Sequence, residues 1–245
     1  MKRKIDNFTF TSDRKTMLFE EVKGKSFAIY ETTFNDVAGQ WSEPVAPSFS
    51  STSVSEGTPS FNKDARKVYF HSFRAAAGQA APSSSLNLWV SERTDKGWDV
   101  PKQLDIPKLK ADDFYYYPSV SDNGTVYFTS FRADSNGKDD IYRSRLVNGS
   151  YGEPEHLGPV INTSDIDGYP HISGDESILL FGRSNDLYVS YQRDGQWTEA
   201  KALGLNQYGI RKLRSPVLSK DHKELYFVGE KDGTAHIYQT SFPRP

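Results

Sequence analysis

An all-β fold, a five-bladed β-propeller of four-stranded blades, is predicted by three observations. First, one unit recurs along the chain. Tyr115–Arg132 reads YYYPSVSDNGTVYFTSFR, and its core returns as PSFNKDARKVYF (Pro59–Phe70), PHISGDESILLF (Pro170–Phe181), PVLSKDHKELYF (Pro216–Phe227) and, without the proline, FTFTSDRKTMLF (Phe8–Phe19). Second, the closing residues Phe19, Phe70, Phe128, Phe181 and Phe227 are 51, 58, 53 and 46 residues apart, so five units fill the 245-residue chain. A fixed unit repeated at this period marks a repeat architecture. Third, aromatics make up 13% of the chain against 2 Met, and no long helical period is visible. That suits stacked sheets held by Phe, Tyr and Trp.

Each unit predicts four strands. A short extended segment follows the proline. A turn such as Asp122-Asn123-Gly124 tolerates positive φ at little cost. A β-branched and aromatic strand such as Thr125–Ser130 suits a half-buried pleated surface. A third strand follows at Ala28-Ile29-Tyr30, Leu88–Ser91, Asp140–Ser144, Asp186–Ser190 and His236–Thr240. A fourth is expected at Trp41–Pro44, Trp98–Pro101, Tyr151–Pro154 and Trp197–Ala200. Four antiparallel strands per unit, radially repeated, make a propeller blade.

The unit resembles the TolB-like, WD40-like (PD40) propeller repeat, whose core reads roughly P-S-x-S-x-D-G-x-x-L-Y-F followed by D-I-Y. The resemblance covers about residues 6–240. It implies the fold; it does not select a function, because such repeats serve binding proteins and peptidase gates alike.

A single domain over 1–245 is expected, with blades at about 5–48, 56–109, 111–161, 165–207 and 213–245. The insertion Ala75–Ser85 and the shorter Ala133–Asp139 read as surface loops between second and third strands. Blade 5 lacks a fourth-strand signature, so it is expected to be three-stranded, with Lys2–Ile5 patching its edge. An open edge there would favour self-association.

Charge nearly cancels, 30 Lys+Arg against 32 Asp+Glu, so no basic excess points to nucleic acid. Cysteine is absent, which excludes disulfides and thiolate chemistry. No apolar run approaches a membrane span. Met1-Lys2-Arg3-Lys4 resembles the start of a signal peptide without the apolar stretch that should follow. The resemblance favours a periplasmic or extracellular location; a cytoplasmic one is the alternative. No cofactor and no metal site is expected, since the five His lack ligand spacing.

The residues preceding each leading position are expected at the channel mouth. The candidate ligand contacts are Asp6, Glu56, Tyr115, Tyr116, Asp167, Tyr169 and Arg211. Carboxylates and aromatic rings together suit a polar small molecule, a glycan or a protein segment. The plainer reading is that each acid orders its own turn by accepting backbone N–H bonds. The predicted function is non-catalytic binding by a rigid scaffold. The alternative is a glycoside-hydrolase-like enzyme using Asp6, Glu56 and Asp167 as paired carboxylates. A basic register (Lys23, Arg74, Arg132, Lys231) reads as structural pairing, with Arg183 expected to meet Asp186. His171 reads as a core histidine or a channel-facing one.

Overall fold

The computed structural model describes residues 4–75, 78–110, 113–132, 135 and 138–242. Five antiparallel sheets surround a central channel as a five-bladed propeller. Blade 1 comprises β1 (Ile5–Phe10), β2 (Thr16–Lys23), β3 (Ser26–Asn35) and β4 (Gln40–Trp41). Blade 2 comprises β5 (Glu56–Phe61), β6 (Lys67–Ser72), β7 (Asn87–Thr94), β8 (Gly97–Trp98) and β9 (Lys102–Gln103). Blade 3 comprises β10 (Phe114–Val120), β11 (Val126–Phe131) and β12 (Asp140–Ser144), a side hairpin β13 (Leu146–Val147) and β14 (Ser150–Tyr151), and β15 (Glu155–His156). Blade 4 comprises β16 (Gly168–Ile172), β17 (Ile178–Arg183), β18 (Asp186–Arg193), β19 (Gln196–Trp197) and β20 (Lys201–Ala202). Among the described residues blade 5 has three strands: β21 (Arg211–Leu218), β22 (Glu224–Lys231) and β23 (Thr234–Ser241).

The innermost strands touch in cyclic order, β1–β5–β10–β16–β21 and back to β1. The repeated letters explain the cores. Phe19, Phe70, Phe128, Phe181 and Phe227 are all buried, each within a strand sandwiched between neighbouring blades. Several stack on the tyrosine of the third strand, Phe19 on Tyr30 and Phe227 on Tyr238 at 5.9 and 5.5 Å between centroids.

Two expectations are corrected. The Trp/Tyr element is not the outer strand. Trp41, Trp98, Tyr151 and Trp197 belong to two-residue hairpins, and the pairing that completes the blade lies four or five residues later, at Val45, β9, β15 and β20. The indole then folds back onto the blade core, as Trp98 does against Phe49 and Phe61. In the described part of the segment expected to patch blade 5, Lys4 O accepts from Val22 N inside blade 1 at 2.9 Å. Ile5 pairs with Glu21 inside blade 1, and Lys2 and Arg3 lie outside the described residues. The loops expected at 75–85 and 133–139 lie partly outside them too.

Blade 1 meets blade 5 through side chains. Phe8, Phe19, Tyr226 and Val228 form one apolar cluster across the junction. Asn7 Nδ2 donates to Ser215 Oγ at 2.9 Å, and Arg14 Nη1 donates to Tyr226 OH at 2.7 Å and pairs with Glu224. Among the described residues no strand is shared across this seam.

Candidate functional site

The geometry of the channel starts from a repeated bulge. A proline cannot donate to the ladder, and it bars the α region to the residue before it. At the leading prolines the pairing of the two innermost strands therefore slips, between Gly57 and Ser60, Tyr116 and Ser119, Gly168 and His171, and Arg214 and Val217. The residue before each proline adopts a left-handed conformation: Thr58, Tyr117, Tyr169 and Ser215 have φ of 53, 54, 54 and 52°. Such backbone in non-glycine residues stores strain. Here it turns these side chains toward the axis, where all four line a small axial cavity of about 30 Å³. Blade 1 lacks the proline and places its slip one residue earlier, between Ile5 and Asn7.

Tyr117 and Tyr169 stack at 4.0 Å between centroids, with Tyr117 OH donating to Tyr169 OH at 3.1 Å. Tyr169 lines both the axial cavity and the mouth at the strand-start end. Of the stacked pair, Tyr169 reaches that mouth and Tyr117 lines the axial cavity. Burial raises both phenols, Tyr169 to about 12.

That mouth is a cavity of about 550 Å³. Its lining includes Lys4, Lys138, Arg183, Lys212 and Arg214 against Asp6, Asp165 and Glu230. Arg214 pairs with Asp6, and Lys212 with Glu230 at 2.8 Å. Arg183 is held by Asp167. Lys4 and Lys138 form no ion pair among the described residues, so cations exceed partners here.

The predicted residues divide. Asp6 and Tyr169 line this mouth. Tyr116 is half-buried beside it, edge-on to Tyr117 at 4.8 Å. Arg211 is exposed at the start of β21, opposite Glu230 in register, and stands outside the cavity. Glu56, Tyr115 and Asp167 are fully buried in the blade walls. Glu56 accepts from Ser51 N at 2.6 Å and Ser72 Oγ at 3.0 Å and pairs with Arg74, which also donates to Phe49 O. Asp167 accepts from Thr163 N at 2.7 Å and Thr163 Oγ1 at 2.9 Å and pairs with Arg183, which donates to Ile161 O. The two acids occupy equivalent positions, and each ties the incoming loop to its blade. Tyr115 takes the equivalent place in blade 3, its hydroxyl accepting from Lys110 N at 2.8 Å and donating to Asp113 at 3.0 Å. Arg183 therefore meets Asp167, not Asp186. Of the three carboxylates considered for paired catalysis, only Asp6 reaches the mouth.

Two buried polar residues beside the axial Thr58 escaped the sequence reading. Glu20 and His71 each follow a closing phenylalanine, so a polar group stands in the most apolar strand of its unit. Glu20 Oε2 accepts from Thr58 N at 2.9 Å and from Thr58 Oγ1 at 3.3 Å, and Thr58 Oγ1 is 3.2 Å from His71 Nδ1. Burial, then the negative charge of Asp6, pushes the Glu20 carboxyl up to about 8. Burial holds His71 neutral, down at about 3. Glycine at position 57 leaves room for this pair, since a Cβ there would lie 2.3 Å from Glu20 Oε2 and 2.8 Å from His71 Nε2 and would push them aside. No cluster of three metal-ligating side chains exists among the described residues.

No protein-family model matches the chain, and no curated protein sequence matches it. Solved structures do. The chain is similar to TolB from Acinetobacter baumannii, with 17% identity and a TM-score of 0.57 over 98% of this chain and 52% of that one. It therefore spans about half the length of that TolB. It is similar to an α-L-arabinofuranosidase from Lactobacillus brevis, with 10% identity and a TM-score of 0.59 over 98% and 90% of the two chains. It is also similar to an aldose sugar dehydrogenase from Streptomyces coelicolor, with 13% identity and a TM-score of 0.55 over 97% and 79%. At these identities the likeness establishes the propeller fold, shared by a TolB and by enzymes.

Proposed function

We propose that this chain is a non-catalytic binding propeller whose strand-start mouth receives a polar ligand or an exposed protein segment bearing carboxylates. One observation carries this reading: among the described residues Lys4 and Lys138 form no ion pair, and they line a cavity of about 550 Å³ together with Tyr169 of the tyrosine stack. Carboxylates suit the two ammonium groups, and the Tyr169 ring supplies an apolar surface for the ligand's body. The Asp6–Arg214 pair gives the mouth a fixed donor and acceptor side. The repeat's resemblance to TolB-type proteins goes with an exported, periplasmic setting, testable by cell fractionation.

Calorimetric titration with acidic and neutral peptides of equal length tests the binding reading. Acidic peptides should bind, with an affinity that falls as salt rises. Lys138→Glu should abolish the preference. Equal binding of both peptide sets, unaffected by Lys138→Glu, would exclude it.

The outer edge of β23 supports a separate contact with a second copy of the chain. Its eight residues, TAHIYQTS, contain no Lys, Arg, Asp, Glu or Pro, the usual guards of an edge strand, and no described strand pairs with that edge. Light scattering should show a dimer that Ile237→Lys converts to monomer; a monomer at all concentrations would exclude this contact.

A further inference from the structure

The opposite mouth, at the end formed by the turns between first and second strands, is also a cavity of about 550 Å³. Its floor is a ring contributed by one position of every blade, the residue after the leading proline or its counterpart: Thr9, Ser60, Ser119, His171 and Val217. All five line both this mouth and the small axial cavity above it.

The polarity of this ring is set by the neighbouring blades. Thr9 Oγ1 accepts from Phe61 N at 3.5 Å, Ser119 Oγ from Ile172 N at 3.0 Å, and His171 Nε2 from Leu218 N at 3.1 Å. Each acceptor is occupied by a backbone N–H of the following blade. Each side chain keeps its hydrogen to donate, and each hydroxyl also keeps a second lone pair. A hydroxyl that accepts keeps one O–H to donate, and a neutral imidazole that accepts at Nε2 carries its proton on Nδ1. Burial, with the nearby His222 charge, holds His171 neutral, down at about 4. The hydroxyl of Ser60 bonds to no protein group among the described residues. Four blades therefore offer hydrogen-bond donors around one axis.

The rim is different. Arg14 is paired with Glu224, and Lys63 with Asp122 at 2.6 Å. Lys220 and His222 add basic groups and Asp175 and Asp221 carboxylates, Asp175 accepting from Ser173 Oγ at 2.7 Å and Asp221 from Ser219 Oγ at 2.7 Å while pairing with Lys223 at 3.6 Å; Phe10, Ile172 and Leu218 add apolar lining. A hydroxyl-bearing floor below a rim that mixes cations with carboxylates suits a molecule whose hydroxyls both donate and accept. Arg14, Lys63 and Lys220 face Asp122, Asp175, Asp221 and Glu224 in the lining, so neither floor nor rim carries an excess of positive charge that would draw an anion. A neutral polyhydroxylated molecule fits both, and a sugar ring presents an apolar face to the wall.

We infer that the turn-side mouth is a second binding site, distinct from the strand-start mouth, for a short uncharged glycan, held by the Thr9–Ser60–Ser119–His171 donor ring and the Asp175 and Asp221 carboxylates.

The full chain should be titrated with maltotriose, cellotriose, xylotriose and arabinotriose, and with trigalacturonic acid as the charged counterpart. At least one neutral trisaccharide should bind, and trigalacturonic acid should not. The double variant Ser60→Ala/Ser119→Ala should weaken binding by at least tenfold, with an unchanged circular dichroism spectrum. Lys138→Glu, at the other mouth, should leave it unchanged. Hydrogen–deuterium exchange on the unaltered chain provides a readout independent of the variants: bound sugar should protect the turns at 173–176 and 219–222. The inference is overturned if no neutral trisaccharide binds, if trigalacturonic acid binds as well as the neutral sugars, if the double variant folds and binds as the parent does, or if protection falls on the strand-start loops. Binding that is lost on Lys138→Glu would assign the sugar to the strand-start mouth and would likewise overturn it.

Discussion

Arg214 Nε donates to Asp6 Oδ1 at 2.6 Å, joining residues 208 positions apart at the seam between the last blade and the first. The guanidinium is nearly buried, and its Nη1 also donates to Lys212 O at 2.8 Å. Removing one partner of a largely buried pair leaves the other uncompensated, a loss of roughly 3 kcal/mol. Arg214→Ala should therefore lower the urea midpoint substantially, and Asp6→Asn should lower it less. The double variant should cost less than the sum of the singles, because the pair acts as one unit. Additive losses would show that the two residues contribute independently.

Glu20 makes stability depend on pH with a predictable sign. Its native carboxyl holds a proton up to about pH 8, whereas in the unfolded chain it ionises near 4.5. Stabilisation from this group is complete below about pH 4.5 and is lost as pH rises through 8. Glu20→Gln keeps the shape and removes the titration. Parent and variant should have similar urea midpoints near pH 4.5, and the variant should gain by up to about 1.4 kcal/mol per pH unit toward pH 8. Parallel stability curves for the two proteins would refute this.

The turns between first and second strands place non-glycine residues at positive φ: Arg14 at 59°, Ala65 at 55°, Glu176 at 59° and His222 at 55°, where blade 3 has Gly124. Two of these side chains reach back to the preceding blade. Arg14 binds Tyr226, and Glu176 accepts from Ser121 Oγ at 2.9 Å and Asn123 Nδ2 at 3.0 Å. Ala65 makes no such polar contact. Ala65→Gly should relieve left-handed strain and stabilise by up to about 1 kcal/mol, reduced by the greater freedom of the unfolded chain. Glu176→Gly should destabilise despite the same relief. Thermal melts of both variants decide, and a rise in melting temperature for both would undo the staple argument.

Arg74 and Arg183 each neutralise a carboxylate with no solvent exposure. Arg74→Met and Arg183→Met should each destabilise by roughly 3–5 kcal/mol. Glu56→Gln and Asp167→Asn should change the denaturation midpoint while leaving peptide affinity at the strand-start mouth intact. A lost affinity in a well-folded Asp167→Asn protein would restore the acid to the ligand site.

The blade was legible because its shared letters are buried ones. A closing phenylalanine, a third-strand tyrosine and a leading proline face the same environment in unit after unit, so they recur. Residues buried between blades do not. Glu20, His71 and Val228 occupy one position with three chemistries, and no repeat rule says what each meets until blades are packed side by side. Glu56 and Asp167 carried a readable signal that acidity alone obscured. Each lies four or five residues after a Ser or Thr whose N–H it accepts, and each has an arginine at the end of the next strand. The Trp elements misled because a tight hairpin and an outer strand look alike when both are short and followed by Pro.

The seam has a mechanical corollary. In a propeller closed by a shared strand, parting the first and last blades would rip a ladder of amide bonds. Among the described residues the same movement would separate rings, a guanidinium and a few hydroxyls while every blade kept its own ladder. The toroid is a clasped bracelet rather than a welded band. Its easiest large fluctuation should be a gape between Phe8 and Tyr226, widening both mouths together without unravelling any sheet.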